Sequence, residues 1–231
     1  MNPVIEVSQL HYKYEDGTAA LRGIDFTLQP GECVAVLGAN GSGKTTFVLH
    51  LNGLHTATSG TVTICGLPVN KANLSQIRQR VGLVFQDSDE QLFMPTVMED
   101  VLFGPLNQGL GLTEATARAN KALEQTGIAK LAGKAPYHLS SGEKRRASLA
   151  GILAMDPEVL VLDEPTTFLD PPGQRDLRDL LKALPQAKLI VTHDIPFARA
   201  LASRAVFFEA GRIAAEGTVD AMVAGFDWDF R

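Results

Sequence analysis

Four short apolar runs constrain the fold of this chain more than anything else in it: residues 33–37, 81–85, 159–163 and 189–192. None shows the polar alternation of a strand with one wet face. Such runs read as strands buried on both faces, which is the pattern of a parallel sheet with helices packed above and below it. One segment behaves differently. Ile24, Phe26 and Leu28 alternate with Asp25, Thr27 and Gln29, a period of two that reads as a half-buried strand, and Pro30-Gly31 turns the chain after it. Residues 61–65 read as another short strand, and 206–209 and 212–215 as a hairpin around Ala210-Gly211.

Helical signals fill the intervals. Residues 44–52 are stopped by Gly53, and 113–126 are closed by Gly127. Thr96 with Glu99 and Ser140 with Glu143 read as capping boxes. The first opens a helix to about residue 103 and the second a helix to about residue 155, ended by Asp156-Pro157. Leu177, Leu180, Leu181 and Leu184 share one helical face, and residues 196–203 read as a further helix. The expected class is α/β: a mostly parallel sheet, a small antiparallel β piece at the front, and a helical insert over about 88–155.

A chain of 231 residues suits one domain, 1–231. Hydrophobic residues make up 45% and charged residues 20%, enough for an ordinary core. The net charge of −5 argues against a dedicated nucleic-acid binder. Cys33 and Cys65 have no metal-ligand spacing and sit among apolar residues, so buried reduced thiols within strands are expected, as suits a reducing compartment. No basic region followed by an apolar run starts at Met1, and no apolar stretch approaches about 18 residues, so neither a signal peptide nor a membrane span is expected.

The chemistry is concentrated after the first buried run. Gly38-Ala39-Asn40-Gly41-Ser42-Gly43-Lys44-Thr45 fits G-x-x-x-x-G-K-[ST] at every fixed position, between a strand and a helix. Gly38, Gly41 and Gly43 let the backbone curl so that amides, including those of Asn40, Ser42 and Thr46, face phosphate oxygens at a helix start. Lys44 supplies charge to the β- and γ-phosphates, and the Thr45 hydroxyl can ligate Mg²⁺. The run 159–163 ends in Asp163, placed to hold the same Mg²⁺. Glu164 follows. Side chains alternate along a strand, so Glu164 is expected to face a water and to orient or deprotonate it.

These motifs, with those around them, resemble the nucleotide-binding domain of ATP-binding cassette (ABC) proteins over about residues 4–217. Leu139-Ser140-Ser141-Gly142-Glu143 is similar to the ABC signature, usually LSGGQ, with Ser141 replacing a glycine and Glu143 a glutamine. The resemblance implies a P-loop NTPase fold with a RecA-like, mostly parallel sheet, and ATP hydrolysis with Mg²⁺. It implies that Ser140, Ser141, Gly142 and Glu143 cap the γ-phosphate held by a second subunit, and that Asp170 bridges the dimer. Gln86 resembles the Q-loop glutamine that reaches Mg²⁺ and the water, and His193 the H-loop histidine near the γ-phosphate. Tyr14 sits where the family stacks an aromatic on adenine, with Tyr12 two residues away.

The segment 85–97, with Glu99-Asp100-Val101, residues 103–107 and 143–146, is similar to the ATPases of energy-coupling factor importers. That similarity implies a homodimer, an integral membrane coupling subunit and a substrate-binding membrane subunit, with the ATPase on the cytoplasmic face of the cell membrane. The cargo class would be a transition metal such as cobalt or nickel, or a vitamin such as biotin. Leu92, Phe93 and Met94 read either as packing under the insert or as a contact for a membrane partner. The tail 226–230 reads as packing on this domain or on the second subunit. A conventional ABC importer or exporter ATPase is the alternative. A soluble ABC ATPase acting on ribosomes or DNA fits less well, since there is one set of motifs, a short insert and an acidic charge.

Overall fold

The computed structural model describes residues 2–228. Two sheets form. The first contains β2 (Ala19–Leu28), β1 (Ile5–Lys13), β4 (Ser59–Ile64) and β5 (Leu67–Pro68), in that order and antiparallel. The second has six strands, in the order β10 (Arg212–Gly217), β9 (Arg204–Glu209), β3 (Cys33–Gly38), β8 (Ala187–Val191), β7 (Val159–Asp163) and β6 (Val81–Val84). Its strands run parallel except β10, which returns from β9 as a hairpin. Every residue of β6, β7 and β8 is buried, in agreement with the continuous apolar runs.

Helices cover the parallel sheet. α1 (Lys44–Leu51) follows β3, and Phe47 and Leu51 pack between the two sheets against Phe26 and Phe208. On the other side lie α3 (Val97–Asn107), α4 (Leu112–Gln125) and α5 (Ser141–Ala154), joined by α6 (Pro171–Ala183). A third cluster sets α7 (Ile195–Leu201) and α8 (Val219–Gly225) against β3 and β9. The strand β1, the helix α8 and the helix α2 (Leu74–Arg80), which precedes β6, carried no sequence signal strong enough to be read.

Several boundaries differ from expectation. Ser140 and Glu143 make both bonds of a capping box. Thr96 does not: its hydroxyl oxygen accepts from the Glu99 amide, but the Glu99 carboxylate receives the Thr96 hydroxyl rather than the backbone. The helix it opens continues past residue 103 through Gly104-Pro105, because Val101 and Pro105 are buried in the insert. Cys65 does not lie in a strand. β4 ends at Ile64, and Cys65 takes a φ of 47° in a turn with Gly66. Both thiols are half-buried rather than buried, and burial still pushes each up to about 11. Of the tail, Phe226 stacks on Phe207 at 3.8 Å and Trp228 meets the same ring edge-on, so both pack on this domain. Asp229 and Phe230 lie outside the described residues, as does Met1.

Where the sheet meets the insert, Gly82 of β6 leaves no room: an added Cβ would collide with Ile152 of α5. Gly82→Ala should therefore destabilise the fold by about 1–3 kcal/mol, the usual cost of overpacking, as a lowered midpoint in denaturant unfolding.

Candidate nucleotide site

The carboxyl ends of β3, β6, β7 and β8 open on one edge of the sheet, and that edge carries the site. The turn from β3 to α1 holds Gly38, Gly41 and Gly43 at φ of 136°, 75° and 107°. A side chain is excluded at Gly38 by the Phe208 carbonyl and at Gly43 by the Ala20 carbonyl, 2.8 Å from an added Cβ. The Lys44 ammonium lies inside this curl and donates to the Gly38 and Ala39 carbonyls at 2.7 and 2.9 Å. Burial pulls its pKa below the usual lysine range, and the nearby Glu164 and Asp163 carboxylates oppose that shift.

Asp163 closes β7 at the loop's mouth. The Thr45 hydroxyl donates to its Oδ2 at 3.0 Å. Burial raises the Asp163 pKa, while the Thr45 bond and Lys44 lower it. A hydroxyl and a desolvated carboxylate, with the Gln86 amide on the same cleft wall, are hard oxygen donors of the kind Mg²⁺ takes. A cation there would favour the charged form of Asp163. The residues present thus fit the ion, with the remaining positions left to phosphate oxygens and water.

Glu164 reaches the cleft by a different route from the one expected. Strand alternation does not aim it, because β7 ends at Asp163 and Glu164 has a φ of 45°. This left-handed turn folds its carboxylate towards the end of β8. There Oε2 meets His193 Nδ1 at 2.8 Å and accepts from the His193 backbone amide at 3.3 Å. The Glu164 side chain is 11% exposed and that of His193 71%. His193 pairs with Glu164 but does not itself line the cleft. A non-glycine residue held at positive φ is strained by about 1–3 kcal/mol, and such strain tends to cluster at functional positions.

The cleft has a volume of about 410 Å³. Tyr14, Asn40, Gly41, Gly43, Lys44, Thr45, Thr46, Gln86, Asp163 and Glu164 line it. Tyr14, rather than Tyr12, is on the wall, and its hydroxyl bonds the Thr46 hydroxyl at 2.8 Å. Ser42, expected to serve through its backbone amide, turns its buried side chain to the loop's other flank, where it lines a cavity with Phe207, Phe226 and Trp228. Sequence reasoning missed Thr18, Arg22 and Gly211, which come from the start of β2 and the β9–β10 turn and carry no motif.

Ser140, Ser141, Gly142, Glu143 and Asp170 gather elsewhere. With Phe168 they line a second, open cleft of about 650 Å³ that shares no described residue with the first. The side chains of Ser140, Glu143 and Asp170 already have partners. Ser140 and Glu143 cap α5 reciprocally, and Asp170 caps α6 by accepting from Gly173 at 2.8 Å.

Between the two clefts runs the loop that carries Gln86. Arg145, 2% exposed on α5, donates to the carbonyls of Phe85 and Gln86 at 2.6 Å each. The Gln91 amide bonds Leu83 and Phe85 across the loop, and Asp100 accepts from Phe93 and Met94. Of the apolar trio expected at a surface, Leu92 packs into the insert core while Phe93 is 63% exposed, edge-on to the exposed Phe103.

A phosphate loop, a metal-fitting carboxylate and a second carboxylate paired to histidine define a nucleoside-triphosphate site. Comparison with known proteins narrows the class. The sequence profile described as ABC transporter matches residues 21–167. A Streptomyces avermitilis protein provisionally named an ABC transporter ATP-binding protein is 52% identical over 222 residues, covering 96% of this chain and 85% of that one. The energy-coupling factor transporter ATP-binding protein EcfA of Methanocaldococcus jannaschii is 46% identical, covering 93% and 79%. The structure of cbiO1 from Clostridium perfringens, described as part of the ABC transporter complex cbiONQ, superposes with a TM-score of 0.88 at 37% identity, covering 99% and 93%. The chain belongs to the ABC transporter family, as an ATP-binding subunit whose ATP hydrolysis is coupled to transport.

Arg145→Met keeps the aliphatic stem and strips both donors from the Gln86 loop. A loss of about 1–3 kcal/mol is expected for the orphaned carbonyls, with slower ATP turnover. Thermal unfolding and a phosphate-release assay read the two effects, and Arg145→Lys should restore only part of each.

Proposed function

We propose that this chain is the ATPase subunit of an energy-coupling factor importer, and that the residues named above power it in a dimer. The observation that carries the reading is the separation of the two clefts. The phosphate loop with Asp163 and Glu164 forms one, and the Ser140–Gly142 turn with Asp170 forms the other. Each is half of a site. Two copies facing one another would set the second cleft of one over the nucleotide of the other, building two sites from one sequence. The dimeric structure of the cassette MJ0796, 27% identical with a TM-score of 0.83, supports that arrangement.

Within each site, loop amides and Lys44 bind and neutralise the phosphates, and Tyr14 stacks on the adenine. Thr45, Asp163 and Gln86 would hold Mg²⁺, which neutralises charge on the β- and γ-phosphates. Glu164 accepts a proton from the attacking water, and the imidazole of His193 keeps that carboxylate oriented. Ser140, Ser141, Gly142 and Glu143 present a helix N-terminus to the γ-phosphate of the partner, and Asp170 lies on the same face.

Phe93, Phe103 and Leu106, all exposed, supply an apolar patch beside the Gln86 loop for a membrane-embedded coupling subunit. Among the described residues no helix is long and apolar enough to cross a membrane, so that role falls to partners on whose cytoplasmic face this chain would sit. The EcfA relatives and the cbiO1 neighbour support the energy-coupling factor subclass. Within it, a transition metal such as cobalt or nickel, or a vitamin such as biotin, is the cargo we favour, bound by a separate small membrane subunit.

Affinity purification from detergent-solubilised native membranes, followed by mass spectrometry, tests the assignment. Recovery of one helical coupling protein with a small substrate-binding membrane protein is expected; recovery of two conventional permeases, or of no membrane protein, would overturn the subclass. Glu164→Gln should retain ATP binding, lose turnover by about a hundredfold or more, as for loss of a general base, and accumulate a dimer in gel filtration with MgATP. Tyr14→Ala should weaken ATP binding about tenfold, the scale of one aromatic stacking contact, while Tyr12→Ala leaves it within about twofold by calorimetry.

A further inference from the structure

A separate cavity of about 350 Å³ lies behind α1, between that helix and the β4–β5 edge, on the side away from the phosphates. His50 and His55 line it, with Thr61, Asn70 and the apolar Val69 and Leu74. His50 is 1% exposed. Its Nδ1 lies 2.7 Å from the Thr46 carbonyl, one turn back on α1, which makes Nδ1 the protonated nitrogen. Nε2 is then a buried lone pair, and it has no hydrogen-bond partner. Leaving a buried acceptor unpaired costs free energy, so such an atom needs an explanation.

His55 lies beside it. Its Nδ1 is 3.4 Å from the Tyr12 hydroxyl, and its ring stacks on Tyr12. Nδ1 of each imidazole thus has a partner, and the tautomer in which the Tyr12 hydroxyl accepts from Nδ1–H leaves the His55 Nε2 lone pair open to a metal as well. Histidines that bind metals are oriented in this way, with the second ring nitrogen held by a carbonyl or other fixed group. The two ring centroids lie 5.5 Å apart. Two imidazoles on one tetrahedral ion, each with a metal–nitrogen bond of about 2 Å, would put their centroids about 5 Å apart. Burial lowers the pKa of both rings and so keeps them in the neutral, ligating form. The cation on the wall, Lys71, is exposed and sits at the rim.

We propose that His50 and His55 form a binding site for a divalent transition-metal ion of the zinc–cobalt–nickel class, distinct from the Mg²⁺ position. Imidazole suits these ions, whereas Mg²⁺ prefers oxygen. Two nitrogens come from the protein, and water completes the shell. The site lies one residue away from the nucleotide cleft. The Thr46 hydroxyl shares a hydrogen bond with that of Tyr14 on one side, and the Thr46 carbonyl accepts from His50 on the other.

The test is a titration of the tag-free, nucleotide-free full chain with Co²⁺, followed by visible absorption and calorimetry. One ion per chain is expected, with the absorption of a nitrogen-bound tetrahedral or five-coordinate ion. His55→Gln and His50→Gln should each weaken binding by about tenfold or more, at least the effect of losing an orienting partner. ATP binding and the circular dichroism spectrum serve as checks on folding. If His50→Gln does not fold, His55→Gln, at a half-buried position, decides. No saturable binding, or binding that both variants leave unchanged because the ion sits at Asp163, Glu164 and His193, would overturn the proposal. Because the measurement reads metal binding without turnover, its failure leaves the ATPase assignment standing, and the reverse also holds.

Discussion

A parallel sheet buried on both faces has nowhere to hold polar chemistry except the ends of its strands. β6 is apolar throughout, β7 is apolar up to Asp163, β8 is apolar beyond Lys188 near its amino end, and β3 ends in a glycine turn. Because these strands run in one direction, their carboxyl ends open on a single edge, as in other open α/β sheets. Lys44, Thr45, Gln86, Asp163, Glu164 and His193 meet there although they are far apart in sequence. The site is assembled by the direction of the strands, before any side-chain contact is made.

The same constraint explains why the signature residues lie elsewhere. Ser140–Gly142 opens α5, and Asp170 opens α6. These are helix starts on the covering layer, not strand ends. The side chains of Ser140 and Asp170 are engaged in capping, and the helix starts present a dipole to whatever faces them. One sequence therefore carries two unlike clefts that have no described lining residue in common, one at strand ends and one at helix starts.

Much of this was legible in the sequence for a definite reason. Continuous apolar runs and glycine spacing are local signals, and they located β3, β6, β7 and β8 and the phosphate loop. The capping box at Ser140 was read correctly because both of its bonds are local. What failed was either local geometry that departs from the usual rule or contact made across the chain. β1 carries register shifts around Leu10 and at Tyr12–Lys13, which blur its alternation. Thr96 and Glu99 fit the same motif but form a different bond pair. Glu164 was aimed at the cleft by a strand rule that no longer applies once φ turns positive. Arg22 of β2 and Gly211 of the β9–β10 turn enter the cleft from elements that meet it only in three dimensions. Arg145 was read only as part of the 143–146 segment, and its two carbonyl partners lie 60 and 59 residues away in sequence.

Those two bonds have a mechanical consequence. Arg145 grips main-chain oxygens, so its hold is indifferent to which side chains residues 85 and 86 carry. A planar guanidinium that makes two parallel bonds resists rotation as well as separation. It behaves less like a hinge pin than like a welded bracket between the insert and the loop. A tilt of α5 would therefore reach residue 86 as a change of angle as well as of distance. The cleft would register a twist of the insert as directly as a push.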